Sequence, residues 1–229
     1  MMARAWIALA AMFGAAACGV RENPPVSAAV VRPDRILDFA TLYSDNCAGC
    51  HGRDGEGGAA QPLGDPIYLA IVGDPVIRNV AAKGVAGTSM PAFAVSSGGP
   101  LTDQQIDAIV TGIRGHWAKP DALNGQTPPP YAASSPGDAA QGEKVYGTYC
   151  SSCHGPNGAG GQRASSIVDP AFLTLVSDQS LRTTVIAGRP DLGSPDWRKD
   201  VPGKAMSNED VSNVVAWLAA QRPQISARR

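Results

Sequence analysis

A five-residue pattern, Cys-x-x-Cys-His, occurs twice in this chain and constrains its fold more than any other feature. The first copy ends at His51 and the second at His154. Two cysteines at this spacing can each form a thioether with one vinyl group of a haem, and the histidine that follows can ligate the iron. We therefore predict two covalent haem c groups. The predicted attachment residues are Cys47, Cys50, Cys150 and Cys153.

The composition suits a chain that folds around large apolar groups. Glycine and proline are abundant, at 26 and 19 of 229 residues, whereas aromatic residues make up only 6%. Such a chain is rich in loops and poor in aromatic core, which a large cofactor can compensate. The formal net charge is −1. We therefore expect no nucleic-acid partner, because the basic patch that nucleic acid requires is missing.

Residues 1–17 have the features of an export signal. Arg4 precedes an apolar run that is too short to span a bilayer. The run ends in a segment that resembles a bacterial lipobox, with Cys18 as its cysteine and Ala15 where leucine is usual. We predict that Cys18 is lipidated and anchors the exported protein on the periplasmic side of a membrane. The alternative is ordinary cleavage after an Ala-x-Ala site.

Proline-rich stretches divide the rest of the chain. Residues 18–33 are predicted to form a flexible tether, and residues 118–137 a semi-rigid linker. The segments 34–117 and 138–223, which we call the first and second repeat, have similar lengths and contain one haem motif each. Residues 224–229 are predicted to be a C-terminal tail.

The two repeats match one another well beyond the haem motif. The first has Gly55-x-Gly57-Gly58 after its histidine, and the second has Gly158-x-Gly160-Gly161. Self-similarity of this kind indicates two copies of one structural unit. Other matched pairs are Tyr43 with Tyr146, Asp65 with Asp169, Leu69 with Leu173, Asp74 with Asp178, Arg78 with Arg182 and Gly84 with Gly188.

Each repeat is predicted to contain three helices joined by loops. The first helix ends at the haem motif, and a glycine-rich loop follows, where the backbone can turn tightly. The last helix begins with a capping box in both repeats. The predicted first helices are 36–46 and 142–149, the middle helices are capped by Asp74 and Asp178, and the last are capped by Thr102 and Ser207.

This arrangement resembles the class I cytochrome c family, present twice. The resemblance covers both repeats and implies an all-α fold of two tandem cytochrome c-like helical domains, each wrapped around a covalent haem c. In that family the first and last helices cross beside the haem. A glycine on the first helix usually meets an aromatic residue on the last.

The second repeat fits this crossing, with Gly142 and Trp217, but the first repeat has Phe39 and Gly112 at those places. The bulky and the small partner are exchanged. We therefore predict that Phe39 packs over Gly112 and fills the same crossing from the other side. The alternative is that Gly112 only weakens its helix, by about 1 kcal/mol relative to alanine.

The proximal iron ligands are predicted to be His51 and His154. Each imidazole should donate its second ring nitrogen to a backbone carbonyl, which fixes its orientation and basicity. In the family a proline after the glycine-rich loop usually provides that carbonyl. Pro62 matches this proline in the first repeat, while Ser165 and Ser166 stand near the place in the second.

The first repeat has a methionine that suits the sixth coordination position. Met90 is followed by Pro91 and lies about 40 residues after the haem motif, and this segment resembles the distal loop of the family. A methionine sulfur on the iron raises the reduction potential and suits reversible electron transfer. The alternative is that Met90 fills the core. We predict that Met90 is the sixth ligand.

The second repeat has Ser194 where the first has Met90, and a serine hydroxyl is a poor iron ligand. Met206 is the remaining candidate. It aligns with Leu101, directly before the cap of the last helix, but the segment after Pro195 is one residue longer than its counterpart. An altered loop can place Met206 on the iron as sixth ligand, and we retain this prediction.

The alternative role of Met206 is structural. With Val211 it can form a hydrophobic staple across the cap of the last helix. The second iron would then be five-coordinate, or hold water or a borrowed ligand such as His116. Four further residues are candidates for contacts with haem propionates. They are Arg78, Arg182, Arg189 and Trp197.

These features favour an electron-transfer protein over a stand-alone enzyme. We expect a periplasmic dihaem cytochrome that moves electrons between membrane-associated redox complexes, or that serves as the cytochrome subunit of one. Its partners would be a quinol or other reductase, an oxidase or a dehydrogenase. One alternative is a haem enzyme or ligand sensor with an open second iron. Another is a structural zinc site made of the four motif cysteines.

Overall fold

The computed structural model describes residues 31–199 and 201–223. The predicted signal peptide, Cys18, most of the tether and the C-terminal tail lie outside these ranges. Within them the chain forms ten α-helices and no β-strand, which confirms the predicted all-α fold. No helix in the described part is long and apolar enough to cross a membrane.

Each repeat contributes five helices in the same order. In the first repeat they are α1 (Phe39–Asn46), α2 (Ala48–His51), α3 (Pro66–Ile71), α4 (Asp74–Lys83) and α5 (Asp103–Trp117). In the second they are α6 (Ala139–Tyr149), α7 (Ser151–His154), α8 (Pro170–Leu175), α9 (Asp178–Ala187) and α10 (Asn208–Ala220).

Several helix starts differ from the prediction. The helix predicted from residue 36 begins at Phe39, because the Asp38 carboxylate accepts a hydrogen bond from the Thr41 amide at 2.8 Å and caps it there. Asp74 and Asp178 are the first residues of α4 and α9 rather than their caps. The caps are the residues before them, Gly73 and Ser177. Both predicted capping boxes are present.

The crossing of the first and last helices is built in two opposite ways, as the sequence predicts. In the second repeat a Cβ atom on Gly142 would lie 2.0 Å from the backbone oxygen of Asn213, so the helices touch through backbone. In the first repeat a Cβ atom on Gly112 would lie 2.1 Å from the Phe39 ring. The packing of Phe39 over Gly112 is therefore confirmed.

A second aromatic residue completes the first crossing, and the sequence prediction did not include it. In the second repeat the Trp217 ring stacks on Tyr146 at 4.4 Å between centroids. In the first repeat Trp117, further along its helix, meets Tyr43 edge-on at 5.0 Å. Both indoles also cover the first glycine of the Gly-x-Gly-Gly motif, Gly55 or Gly158.

Substitution of Gly142 by alanine should lower the free energy of unfolding by about 1–3 kcal/mol, the usual cost of overpacking a filled contact. Gly147 lies on the same helix, and nothing approaches its Cβ position within 4 Å. Gly147→Ala should therefore raise the free energy of unfolding by roughly 0.5–1 kcal/mol. Urea denaturation of the holoprotein compares the two. Equal effects would contradict the close crossing at Gly142.

Both repeats belong to the compact unit that begins at Arg32, and their cores join through α3. Ile67 is buried in the hydrophobic cluster of the second repeat, and Tyr68 packs against the clusters of both repeats. The linker is also packed onto the second repeat. Arg182 is only 2% exposed and donates to the carbonyl of Pro130 at 2.8 Å and to that of Tyr131 at 3.1 Å.

Candidate functional site

The haem motifs lie on the short helices α2 and α7, and one helical turn explains their spacing. The amide of His51 donates to the carbonyl of Cys47 at 3.1 Å, and that of His154 to the carbonyl of Cys150 at 3.0 Å. Residues three and four positions apart share a helix face. Each motif therefore presents two cysteines and a histidine on one side. The four cysteines are free of disulfide bonds.

Backbone carbonyls hold both proximal histidines. Nδ1 of His51 lies 2.8 Å from the carbonyl oxygen of Gln61, and Nδ1 of His154 lies 2.9 Å from that of Ser165. The expectation that Pro62 provides the first carbonyl is wrong by one residue, since its neighbour Gln61 makes the contact. A serine serves equally well in the second repeat, because the acceptor is a backbone atom.

The histidine geometry fits a haem iron. A hydrogen bond at Nδ1 leaves Nε2 as the nitrogen for the metal. Burial lowers the pKa of His51, and the positive charge of Arg189 adds to this effect, although the Gln61 carbonyl opposes it. The imidazole is therefore held neutral, which is the form that binds a metal. The chemistry of the donor set in each repeat fits a haem c.

Tyrosines and glycines fix the loop after each histidine. The Tyr43 hydroxyl donates to the carbonyl of Gly52 at 2.9 Å, and Tyr146 makes the same contact with Gly155. The amide of Gly57 then donates back to the carbonyl of His51 at 2.9 Å. Gly57 has a φ of 110°, which a residue with a side chain rarely adopts. The tyrosines and glycines that the sequence matches between the repeats thus hold the loop after each histidine in the same way.

The distal loops share one backbone hydrogen bond around Met90 and Ser194. The amide of Val85 donates to the carbonyl of Met90 at 3.0 Å. The amide of Arg189 donates to the carbonyl of Ser194, also at 3.0 Å. Ser194 therefore occupies the backbone position of Met90, as the sequence comparison predicted. Met90 is half-buried, and its amide donates to the Thr88 hydroxyl at 3.2 Å.

Met206 takes the place of Leu101. The amide of Met206 donates to the carbonyl of Trp197 at 2.9 Å, and the amide of Leu101 donates to that of Phe93 at 2.8 Å. Met206 is 3% exposed and shares a hydrophobic cluster with the fully buried Val211. This packing is that of a hydrophobic staple. Ligation of the second iron by Met206 stays a prediction, and the packing supports its alternative.

Three arginines that were candidates for propionates have other partners. Arg78 pairs with Asp103 at 3.0 Å and with Asp107 at 2.6 Å. Arg189 pairs with Asp191 at 2.6 Å. Arg182 donates to the linker carbonyls described above and to the Ser212 hydroxyl at 3.1 Å. These three guanidiniums therefore already bond to carboxylate, carbonyl or hydroxyl oxygens of the protein itself.

Trp197, the fourth propionate candidate, is 2% exposed and belongs to the core of the second repeat. Its ring lies beneath the Arg198 guanidinium, 4.7 Å from the centroid, and Arg198 also bonds the carboxylate of Asp196 at 2.8 Å. The Trp197 amide donates to the carbonyl of Ile186 at 3.1 Å. Trp197 therefore serves the packing of the distal segment.

Two matched arginine contacts escaped the sequence comparison. Arg114 on α5 donates to the carbonyls of Leu69 and Val72 and pairs with Asp74. Arg222, after α10, makes the same set of contacts in the second repeat. Its partners are Leu173, Val176 and Asp178. The two arginines fix the junction before the middle helix in each repeat.

The zinc alternative does not agree with the geometry. Across residues 31–199 and 201–223, no three or more histidine, cysteine, aspartate or glutamate side chains come together as a metal ion would require. The four motif cysteines therefore do not form one tetrahedral site.

Known proteins support the haem interpretation. The family described as "Cytochrome C oxidase, cbb3-type, subunit III" matches residues 34–111 and 137–218, one segment for each haem motif. The matched segments make up more than half of the chain.

Three curated relatives are similar over part of their length. The cbb3-type cytochrome c oxidase subunit CcoP of Azospirillum sp. (strain B510) is 30% identical over 55% of this chain and 43% of the relative. The subunit FixP of Bradyrhizobium diazoefficiens is 29% identical over 78% and 59%. The gluconate 2-dehydrogenase cytochrome c subunit of Pantoea cypripedii is 33% identical over 42% and 24%.

The chain spans about half the length of the two oxidase subunits that it matches. Both family segments enclose a Cys-x-x-Cys-His motif on a short helix with a carbonyl-held histidine. The chain therefore belongs to the cbb3-type cytochrome c oxidase subunit III family, as a class I c-type cytochrome that carries two haem c groups and takes part in electron transfer.

Proposed function

We propose that this protein carries electrons between membrane-associated redox complexes on the periplasmic side, or serves as the cytochrome subunit of one. The observation that carries the proposal is the pair of equivalent sites, each with a histidine held by a backbone carbonyl, inside one compact unit. The relatives are named as subunits of an oxidase and of a dehydrogenase. Complexes of these kinds, or a quinol reductase, are the proposed partners.

Each haem would be attached and oriented by the chain's own residues. Cys47 and Cys50 would hold the first haem, and Cys150 and Cys153 the second. His51 and His154 would bind iron through Nε2, and Met90 would complete the first site. When bound, each haem supplies a one-electron iron couple. The residues keep the ligands fixed, so that little rearrangement accompanies the electron.

Attachment to a membrane is part of the proposal. Lipidation of Cys18 would hold the protein at the surface, and the proline-containing segment up to residue 33 would give it reach. This arrangement suits a carrier that meets two complexes as well as a subunit docked on one. The support for it is the sequence of the first 18 residues.

Membranes that contain a quinol pool and an oxidase provide the test. Both haems of the added holoprotein should become reduced when quinol is supplied and reoxidised when oxygen is admitted, as followed by the visible absorbance of ferrous haem. A Cys150→Ala, Cys153→Ala variant should retain one haem per chain by haem assay and show half of the absorbance change. Haems that stay oxidised with quinol and every other donor tried would overturn the proposal.

A second candidate function is the binding of a small ligand at the second iron. Ser194 stands at the backbone position of Met90, and Met206 is packed as Leu101 is. With neither residue on the iron, the second haem would offer an open position to carbon monoxide or nitric oxide. Binding of carbon monoxide to the ferrous protein, at one molecule per chain, is the result that supports this function. No binding would exclude it.

A further inference from the structure

The two haem sites touch each other through loops that have different roles. One is the segment 52–64 after His51, which we call the first proximal loop. The other is the segment 188–196, which carries Ser194 and which we call the second distal loop. The Arg189 guanidinium donates to the carbonyl of Gly58 at 2.9 Å, and Nε2 of the Gln61 side chain donates to the carbonyl of Gly188 at 3.3 Å.

Gln61 belongs to both sides of this contact. Its backbone carbonyl accepts the hydrogen bond from Nδ1 of His51 at 2.8 Å, while its side chain holds Gly188. The strength of the bond at Nδ1 sets the basicity of a ligating histidine. A displacement of the second distal loop would therefore move the residue that orients the ligand of the first haem.

The second distal loop is stiff where it meets the first repeat. Arg189 and Asp191 form an ion pair at 2.6 Å, and their side chains are only 16% and 15% exposed. The hydrogen bond from Arg189 lowers the pKa of Asp191, so the carboxylate stays charged. Arg189 also exchanges two backbone hydrogen bonds with Ser194, each 3.0 Å long. One residue thus joins the distal position of the second site to Gly58.

The first proximal loop and the second distal loop are closely packed where they meet. A Cβ atom on Gly57 would lie 2.6 Å from a carboxylate oxygen of Asp191, so the first proximal loop presses directly on the ion pair. Packed interfaces of this kind transmit small shifts because they do not deform continuously.

We propose that Gln61 and Arg189 are positioning residues that couple the two haem sites. The state of the second distal loop sets the reduction potential of the first haem, and the state of the first proximal loop sets that of the second haem. The inference rests on the proposed roles of His51 and His154 as iron ligands. Coupling between two sites is reciprocal in its free energy. A displacement of either loop must therefore change the reduction potential of the opposite haem.

The test uses Gln61→Met, which removes the side-chain amide and keeps the backbone carbonyl. Redox titration of the holoprotein follows each haem through its own ferric EPR signal. The variant should shift the midpoint potential of the second haem as well as the first. Gln104→Met, at an exposed position on α5, is the matched control and should shift neither.

Arg189→Lys tests the reverse direction, because it removes the guanidinium and keeps the positive charge that acts on His51. It also covers the case in which Gln61→Met does not fold. It changes the second distal loop and should shift the midpoint potential of the first haem. Shifts confined to the haem nearest each substitution, or no larger than the control's, would overturn the coupling. A haem assay separates this outcome from failure of the proposed function, because fewer than two haems in the wild type would overturn the function itself.

Discussion

Replacement of Met90 by alanine is expected to lower the midpoint potential of one haem strongly and to leave the two attachments intact. A methionine sulfur stabilises the ferrous iron, and alanine offers no ligand in its place. The fall should be on the order of 0.1 V or more, within the roughly 0.8 V that axial ligands span. Redox titration measures it, and the haem assay should still give two haems per chain.

Met206→Leu is the matched control for Met90→Ala. Leucine occupies the equivalent position in the first repeat, where Leu101 is 5% exposed and Met206 is 3%. The substitution should therefore preserve the core and leave both potentials and both spin states unchanged. A second haem that turns from low-spin to high-spin in Met206→Leu would make Met206 its ligand and would reject the staple role.

Substitution of Ser194 by methionine is expected to supply a sixth ligand to the second iron and so fill its open coordination position. The carbonyl of Ser194 accepts the same backbone hydrogen bond as that of Met90, and a proline follows in both repeats. A methionine there should reach the second iron as Met90 is proposed to reach the first. The affinity of the ferrous second haem for carbon monoxide should fall at least about tenfold, or about 1.4 kcal/mol.

Ser194→Ala is the control, since it removes the hydroxyl and adds no ligand. It should bind one carbon monoxide per chain, as the wild type should. The far-red absorption band of methionine-ligated ferric haem should also strengthen in Ser194→Met. If the band and the carbon monoxide affinity both match those of Ser194→Ala, the second distal loop does not place its residue over the iron.

The sequence predicted the features that depend on local chemistry or on the internal repeat. The haem motifs, both capping boxes and the exchange of Phe39 with Gly112 follow from residue types at fixed spacing. The helices α3 and α8 were missed because six residues give too little periodicity. Their signal was the Asp-Pro pair at each start, where Asp65 and Asp169 cap the helices.

Other features depend on contacts that no local pattern contains. Trp117 and Arg114 make the contacts of Trp217 and Arg222 from different positions relative to the last helix of each repeat, so a residue-by-residue alignment of the repeats does not pair them. The contact of Gln61 with Gly188 joins loops 127 residues apart. Such placements follow from how the two repeats pack, which spacing alone does not determine.

Ferric EPR of the wild-type holoprotein tests the central claim most directly, because it reports the spin state of each haem. The account holds that the two haems share their proximal chemistry and differ on the distal side, with Met90 in one site and Ser194 in the other. It predicts one low-spin and one high-spin signal of equal intensity. Two low-spin signals in the wild type would contradict it.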